Sequence, residues 1–414
     1  MIKNILIVVD SIDVDDSSGS KANVAFIQNL HVIGHTITVL HYTRKEIHLE
    51  NISCYSIPEK KWNLLYLLSR AQRLFTRYTK LNINPFIESL FGFSFTFFND
   101  TNSIIKELKK EIFNPDLVLT LSKGASFRPH YALLKLPELH FKWMAYVHDP
   151  YPFHYYPRPY NWVEPGFQKK EDFFRAVSEN AAYSAFPSLL LKEWVGSYFP
   201  NFLKTGLVMP HQSFEVVEKT KLKLPGFFNA TKFNLFHAGN LMKQRSPEGL
   251  LKGFELFLTK YPKAKKDARL LLIGNASCHE NLLKKYNKLL PEVYIQAVSL
   301  PFEVIYELQK SVSVNIILES KSEISPFLPG KFPHCVAANK PILLLTPYYS
   351  ETRRLLGNDY KYMSEVDAIN EIAENIESLY NEWSINSEEL KLNRLDLEEY
   401  VSMEYLKNVL EDLK

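Results

Sequence analysis

Residues 234–259 read NLFHAGNLMKQRSPEGLLKGFELFLT, and this stretch indicates the fold. A short apolar strand from Asn234 to His237 runs into a loop that starts with glycine and holds two cations. A helix follows from Leu250 to Thr259, with apolar residues at intervals of three and four. A buried strand followed by a loop and a helix is the repeating unit of α/β proteins with parallel sheets.

The same unit recurs along the chain. Short apolar runs predict further strands at 5–9, 36–41, 116–121, 143–147, 183–187, 269–273, 293–297, 314–318 and 341–345. The polar stretch 219–232 contains Pro and Gly and is typical of a connection between domains. We therefore predict two Rossmann-like parallel-sheet domains, at 1–210 and 211–394. Apolar residues at helical spacing predict a C-terminal helix at 395–414, for which the first domain is a candidate packing partner.

Composition excludes several classes of protein. The 414 residues are 46% hydrophobic and 23% charged, which is typical of a folded chain of two or three domains. Lys and Arg number 49 and Asp and Glu 46, so the net charge of +3 argues against nucleic acid as a partner. Cys54, Cys278 and Cys335 are widely separated, which argues against structural zinc and for a reducing compartment. With no export signal and no apolar run of about 18 residues, we expect a cytoplasmic protein.

Two loops at predicted strand ends suggest an anion site. In the first, Lys243 and Arg245 precede Ser246 and Pro247, which suit the start of a helix. Cations beside free helix N–H groups stabilise a diphosphate, although a solvated loop with incidental cations is the alternative. The second loop, within 319–341, crosses a Pro- and Gly-rich segment to Gly330 and Lys331. It either completes the anion site or is a simple turn.

These two loops carry a family resemblance. HAGN…KQRSPEGLLKGF and SPFLPGKF…AANKPILLL resemble the nucleotide-sugar glycosyltransferases of the GT-B type, and among them the retaining family 4 group. The resemblance implies two domains that face a cleft, with a nucleoside-diphosphate sugar as the donor in the second domain. Cations and backbone amides can supply the charge, so we expect no other cofactor and no metal. The donor-binding residues it implies are Gly239, Asn240, Lys243, Arg245, Ser325, Phe327, Leu328, Pro329, Gly330, Lys331 and His334.

The sequence departs from the family pattern at three of the resembling positions. Asn240 stands where an arginine is common. Pro326 and His334 occupy the positions of two glutamates, the first near the transferred sugar and the second on the donor ribose. A neutral imidazole offers one donor and one acceptor, so His334 either binds ribose hydroxyls or packs as a helix residue against the sheet.

The first domain is expected to hold the acceptor. His148 and Asp149 end a predicted strand, and the resemblance places His148 near the sugar or the reacting centre, as a catalytic residue with Arg245 and Lys331. The alternative for His148 is a capped strand end. Acceptor-binding candidates come from the loop at 13–20, from this strand end and from the aromatic segment 151–160, which is otherwise a rigid surface loop. They are Ser18, Gly19, Asp149, Tyr151 and Tyr155.

A basic, apolar segment extends from 60 to 98. Residues 60–87 contain six Lys and Arg and no acidic residue, interleaved with leucines, and five phenylalanines follow between 91 and 98. Such a segment either contacts the inner leaflet of a membrane, where a lipid-linked acceptor is found, or packs on the domain's own sheet with a solvated cationic edge.

The leading hypothesis is an enzyme that transfers a sugar to a glycan or lipid-linked acceptor during assembly of a surface polysaccharide or glycolipid, with retention of anomeric configuration. Two alternatives remain. A nucleotide-sugar epimerase of the same fold converts the donor without an acceptor. A catalytically silent nucleotide- or glycan-binding protein is suggested by Pro326 and His334 in place of the usual carboxylates.

Overall fold

The structure is a computed structural model that describes residues 2–110, 113–124, 126–160, 162–213, 223–298 and 300–413, without the side chain of Ser18. The chain forms two compact units. The first comprises residues 1–156, 160–212 and 402–414, and the second comprises 157–159 and 213–401. Part of the predicted connection, at 219–222, lies outside the described residues.

The first unit alternates strands and helices. Its strands are β1 (Asn4–Val9), β2 (Thr36–His41), β3 (Ser53–Ser56), β4 (Leu117–Leu121), β5 (Trp143–Tyr146), β6 (Tyr183–Phe186) and β7 (Gly206–Val208). Its helices before residue 213 are α1 (Ser18–Val32), α2 (Leu64–Thr79), α3 (Asn84–Phe91), α4 (Phe95–Leu108), α5 (Arg128–Leu134), α6 (Phe167–Asn180), α7 (Leu189–Tyr198) and α8 (Asn201–Thr205). Short 3-10 helices occur at Pro137–Lys142 and Phe153–Tyr155.

Among the described residues, the seven strands of this unit form one parallel sheet in the order β3-β2-β1-β4-β5-β6-β7. Ile5 of β1 pairs with Ile37 of β2 on one side and with Leu117 of β4 on the other. Five of the six β1 residues are buried, as expected for a β-branched strand covered by helices on both faces. Strand order reverses between β1 and β4, which makes this the topological switch point of the sheet.

The second unit repeats the architecture. Its strands are β8 (Phe233–Ala238), β9 (Ala268–Ile273), β10 (Val293–Gln296), β11 (Val314–Leu318), β12 (Ile324–Ser325), β13 (Ile342–Leu345), β14 (Tyr349–Ser350) and β15 (Met363–Ser364). Its helices are α9 (Glu248–Lys260), α10 (Glu280–Leu289), α11 (Phe302–Ser311), α12 (Phe332–Ala337), α13 (Glu351–Leu356), α14 (Ile369–Ile385) and α15 (Leu395–Tyr400). Short 3-10 helices occur at Pro262–Lys266 and Ser277–His279.

Six of the described strands in this unit form a parallel sheet in the order β10-β9-β8-β11-β13-β15. The short strands β12 and β14 pair separately. Here the strand order reverses between β8 and β11. Ligands of open α/β sheets bind outside the carboxyl ends of the strands at such a switch point, so we expect a ligand of this unit to bind at the loops after β8 and β11.

The C-terminal segment differs from its prediction. One helix was expected over 395–414, but the chain forms α15 and then α16 (Met403–Glu411). The Ser402 side chain accepts the Tyr405 backbone N–H at 3.1 Å and starts the second helix as its N-cap. Leu397 of α15 lies in an apolar cluster of the second unit. Leu406 and Leu410 of α16 lie in the core of the first unit.

Candidate functional site

The switch point of the second unit brings predicted donor residues together. Strand β8 ends at Ala238 and leads into the first loop, and β11 ends at Leu318 and leads into the second. Gly239 has a φ of +148°, a conformation that glycine adopts most readily. A Cβ at this position would lie 3.7 Å from both the His237 ring and the Lys331 Nζ atom. The start of the first loop and the end of the second are therefore adjacent.

Lys331 lies just before helix α12 with its ammonium group turned inward. Nζ is 3.0 Å from His237 Nδ1 and donates to the carbonyl oxygens of Ala238 at 3.1 Å and Ile316 at 3.2 Å. Burial, with a smaller contribution from the charge of Arg245, lowers the pKa of Lys331 to about 7. The amine is thus held at the sheet edge in an environment that favours its neutral form unless an anion is present.

His237, at the end of β8, is buried beneath this lysine. Burial lowers the pKa of its imidazole well below the usual value, and the charges of Lys331 and Arg245 act in the same direction. Nδ1 lies 3.0 Å from Lys331 Nζ and 3.3 Å from the Ile316 carbonyl oxygen. Nε2 is buried and has no hydrogen-bond partner among the described residues.

The other cations of the first loop differ in exposure. Arg245 is half-buried and donates from Nη1 to the Asn240 carbonyl at 3.3 Å, whereas Lys243 is exposed. The charge of Arg245 lowers the pKa values of both His237 and Lys331, so its guanidinium acts electrostatically on both side chains. The Gly239 backbone N–H is already bonded to the Ile273 carbonyl at 2.9 Å, so it is not free for a ligand. Arg245 and Lys331 thus provide the charge at this site.

The helix after the first loop starts one residue later than expected. Its N-cap is Pro247, and no side chain caps it; the Ser246 hydroxyl accepts the Glu248 backbone N–H at 3.3 Å in the turn that leads into the helix.

The remaining second-loop residues are spread over different environments. Leu328 is in an apolar cluster with Phe332 and Val336, so its side chain packs in the core. Ser325 is buried, Phe327 and Pro329 are half-buried, and Gly330 is exposed. A Cβ at Gly330 would meet no atom within 4 Å, which leaves open space in front of the backbone there.

His334 lies in the first turn of the six-residue helix α12. Its ring meets the edges of Phe302 and Tyr306 from α11, with centroid distances of 5.1 and 5.6 Å. Burial lowers the pKa of His334 to about 4, so the ring is neutral at physiological pH. Nδ1 is buried and has no hydrogen-bond partner in the described part of the chain. The ring is therefore packed among aromatic side chains, and ribose binding by His334 stays a prediction.

Sequence reasoning missed one carboxylate at this switch point. Glu319 directly follows β11, is 3% exposed and bonds to the Thr352 hydroxyl. Burial raises its pKa, while the charge of Arg245 lowers it. The rule that ligands meet the carboxyl ends of parallel strands would have identified Glu319 as the first residue after a predicted strand.

In the first unit, His148 and Asp149 follow β5. The Ser122 hydroxyl lies 3.0 Å from His148 Nδ1 and accepts the His148 backbone N–H at 3.0 Å, which fixes the ring. Burial lowers the pKa of His148 well below the usual value, so the imidazole is neutral. Burial raises the pKa of Asp149 to about 6, although a hydrogen bond from Tyr156 opposes this effect.

The other acceptor candidates lie in different environments. Tyr151 is 4% exposed and packs against Phe127 and Phe174, so its ring belongs to the core. Tyr155 packs its ring 4.2 Å from that of Tyr198. Gly19 lies in the first turn of α1, which Ser17 caps through the Ser20 backbone N–H. The side chain of Ser18 is outside the described part of the chain.

A polar pocket at the switch point of the first sheet was not predicted. Its volume is about 570 Å³, and its lining follows the carboxyl ends of β1, β2 and β4. The lining residues are Asp10, Ser11, Asp13, Asp15, Asp16, Tyr42, Thr43, Arg44, Lys45, Asp100, Lys123, Ser126 and Arg128. Gly19 borders this pocket, because a Cβ there would lie 3.7 Å from the Lys123 side chain.

Buried ion pairs form the wall of this pocket. Asp100, 3% exposed, accepts from Arg44 Nη2 at 3.2 Å and from the Tyr42 hydroxyl at 2.9 Å, and its Oδ2 forms an ion pair with Arg128, 3.2 Å from Nε. Burial raises the pKa of Asp100, and the charge of Arg128 opposes this shift. Asp10 bonds to Ser126 through one oxygen, and its Oδ1 is buried with no partner among the described residues. The wall therefore presents both acceptors and donors to a ligand.

Two features are absent from the described residues. No group of three or more His, Cys, Asp or Glu side chains is arranged to hold a metal ion within the described ranges. No helix in the described part of the chain is long and apolar enough to cross a membrane.

Comparison with known proteins gives structural but not sequence matches. No family model matches the chain, and no curated protein matches its sequence. The trehalose-6-phosphate synthase OtsA superimposes with a TM-score of 0.64 at 12% identity and covers 100% of both chains. A UDP-forming α,α-trehalose-phosphate synthase from Burkholderia xenovorans, in complex with glucose-6-phosphate, gives a TM-score of 0.65 at 10% identity over 99% of both chains.

Anabaena Alr3699/HepE in complex with UDP and glucose gives a TM-score of 0.56 at 10% identity, over 99% of this chain and 100% of that one. The synthases belong to glycosyltransferase family 20, and the assignment of this chain to the retaining family 4 group stays a prediction. At sequence identities of 10–12%, the similarity to these structures shows the fold alone. The chain has the α/β fold of GT-B glycosyltransferase structures, with two parallel-sheet domains.

Proposed function

We propose that the chain is a glycosyltransferase that moves a sugar from a nucleoside-diphosphate sugar to an acceptor hydroxyl, in the assembly of a surface polysaccharide or glycolipid. The observation that carries this proposal is the group formed by Arg245, Lys331 and the buried His237 at the switch point of the second sheet. Two cations beside one glycine turn suit the oxygens of a diphosphate.

The chemistry follows from the charge that develops on the leaving group. As the bond between the sugar and the diphosphate breaks, negative charge grows on the departing phosphate, and fixed cations stabilise it. Arg245 supplies one such cation. An anion in contact with the Lys331 amine raises its pKa above 7, so this lysine carries its charge when the donor is bound.

We infer a retaining reaction. The acceptor oxygen attacks the anomeric carbon on the face from which the diphosphate departs, and the departing phosphate oxygen takes the acceptor proton. This route needs no protein base, and we assign charge stabilisation to the cations without invoking a metal. We assign to the neutral imidazole of His148, held by Ser122, a hydrogen bond to the transferred sugar.

The structural neighbours narrow the choice of ligands to test. The Anabaena structure holds UDP and glucose, and the Burkholderia synthases are UDP-forming, which supports UDP as the donor nucleotide. We place the acceptor in the polar pocket of the first unit, because its carboxylates can accept bonds from sugar hydroxyls and its Arg and Lys side chains suit an acidic group on a sugar. Acceptor binding by Ser18, Gly19, Asp149, Tyr151 and Tyr155 stays a prediction.

The test replaces Arg245 with Ala and measures UDP affinity by calorimetry. We expect a loss of about 10- to 100-fold, because a hydrogen bond to a charged group contributes about 1.5–3 kcal/mol. Transfer from UDP-sugars should fall by a similar factor or more. Lys252→Ala is the matched control, since Lys252 is an exposed cation on α9 that pairs with Glu248. It should bind UDP like the unmodified chain.

Two outcomes would contradict the proposal. Equal UDP affinity for Arg245→Ala and Lys252→Ala would remove the role of the first loop. Tight UDP binding with neither transfer to any acceptor of a broad panel nor hydrolysis of any UDP-sugar would favour a catalytically silent binding protein, as Pro326 and His334 suggested.

A further inference from the structure

Helix α2 carries an apolar stripe that faces water. Leu64, Leu67, Leu74 and Tyr78 recur at helical spacing and are 71%, 51%, 52% and 82% exposed. The stripe of a surface helix normally faces the core, where burial of apolar area stabilises the fold. Here the chain leaves this surface uncovered.

The opposite side of α2 packs on its own unit. Ser69 is fully buried, and Leu65 and Leu68 beside it are half-buried. At the start of the helix, Asn63 donates to Asn99 Oδ1 of α4 at 2.8 Å, and the Lys60 backbone N–H donates to the Ser103 hydroxyl, also on α4, at 2.8 Å. Part of the leucines therefore packs inward, and the stripe of Leu64, Leu67, Leu74 and Tyr78 stays outside this contact.

Helix α3 extends the apolar surface. The Gln72 side chain of α2 donates to Asn84, the first residue of α3, at 2.5 Å, so the start of α3 lies beside α2. We use the term α2–α3 patch for the exposed apolar side chains of these two helices and their flanks, which are Trp62, Leu64, Leu67, Leu74, Phe75, Tyr78, Leu81, Phe86, Leu90 and Phe91.

Cations border this patch without local neutralisation. Arg70 pairs with Glu59 at 3.1 Å. The other cations between 60 and 87 have no carboxylate partner in the described part of the chain, and they are Lys60, Lys61, Arg73, Arg77 and Lys80. The net charge of the whole chain is only +3, so this cluster is a local feature.

We propose that the α2–α3 patch binds the surface of an anionic lipid bilayer. Leucine and aromatic side chains can insert at the boundary between headgroups and acyl chains, while the cations meet anionic headgroups. A second copy of the chain fits poorly, because two unneutralised basic surfaces would repel each other. Nucleic acid fits poorly too, because phosphates would leave the leucine stripe uncovered. The proposal does not depend on the identity of the transferred sugar.

The test is co-sedimentation of the full chain with vesicles. Phosphatidylcholine vesicles with 30% phosphatidylglycerol should bind the chain, and pure phosphatidylcholine vesicles should bind it at least tenfold more weakly. Arg73→Glu with Arg77→Glu should reduce binding to the anionic vesicles by more than tenfold, since each cation near such a surface contributes about fivefold. Lys263→Glu with Lys265→Glu, two exposed cations of the second unit, should have little effect.

A second variant tests the apolar contribution. Leu67→Gln with Leu74→Gln keeps helix propensity at exposed positions and should reduce vesicle binding at least tenfold, whereas Phe141→Gln, at an exposed aromatic residue outside the patch, should not. UDP affinity should be unchanged in every variant, which separates this proposal from the proposed function. Equal vesicle binding by patch and control variants would overturn the proposal. The proposal would also be overturned if the chain formed a concentration-dependent dimer, or bound RNA, and only the patch variants lost that property.

Discussion

Raising the pH should weaken nucleotide binding through Lys331. Its Nζ atom is surrounded by His237 Nδ1 and by the carbonyl oxygens of Ala238 and Ile316, at 3.0 to 3.2 Å. Burial lowers its pKa to about 7, so part of the free protein holds a neutral amine at neutral pH. A diphosphate binds the ammonium form more tightly, and binding at higher pH must therefore take up a proton.

The magnitude follows from this pKa. A group with a pKa of about 7 is about half protonated at pH 7 and about 3% protonated at pH 8.5. If the bound state requires the ammonium, UDP affinity should fall about 15-fold over this range. Binding at pH 8.5 should take up nearly one proton, because almost every free molecule starts with a neutral amine.

Calorimetry measures both quantities. Titration of UDP in HEPES and in Tris, which differ in ionisation enthalpy, gives the number of protons taken up at each pH. The range starts at pH 7 because the terminal phosphate itself titrates near pH 6. Lys331→Arg is the control, since guanidinium keeps its charge throughout. A UDP affinity of the unmodified chain that is independent of pH, or an equal slope in the arginine variant, would refute this role of Lys331.

Two further predictions concern stability. Burial raises the pKa of Asp149 from 3.8 to about 6, so the buried charge reduces stability as pH rises from about 4 to 6. In urea unfolding, Asp149→Asn should therefore stabilise the chain by up to about 3 kcal/mol at pH 7 and by only about 1 kcal/mol at pH 4.5. An equal gain at both pH values would contradict this. A Cβ at Gly249 on α9 would lie 2.1 Å from the Val366 carbonyl oxygen, so Gly249→Ala should lower the unfolding free energy by about 2 kcal/mol despite its better helix propensity. Gly226→Ala, where no atom lies within 4 Å, should change it by less than about 0.5 kcal/mol, and similar losses in the two variants would disprove the steric argument.

The central strands were predictable because they are buried on both faces. Residues 5–9 and 314–318 are continuous apolar runs, and both form inner strands of their sheets. Strand β3, with the sequence SCYS, is an edge strand whose residues are exposed or half-exposed, so no apolar run marks it. Strand β7 has three residues and gives no periodicity to detect. The break before Ser402 was missed because the apolar spacing continues across it.

Local sequence also limits what could be said of the sites. The donor loops were found because each directly follows a strand that the sequence reveals. The pocket of the first unit depends on Asp100 from α4 and Arg128 from α5, which meet through tertiary packing and have no common local pattern. For α2 the basic, apolar composition was evident, but which side faces the unit was not. That was decided by polar partners such as Asn99, far along the chain.

The environment of Lys331 is the strongest reason to regard the second switch point as functional. Holding this amine where its pKa falls from 10.5 to about 7 reduces the stability of the folded chain by about 4 kcal/mol at neutral pH. An apolar side chain of similar length would avoid this cost. A bound anion would also remove it, because the ammonium would again be the favoured form. Strongly perturbed groups of this kind cluster at binding and catalytic sites, and here the perturbed lysine lies where the strand order of the sheet predicts a ligand.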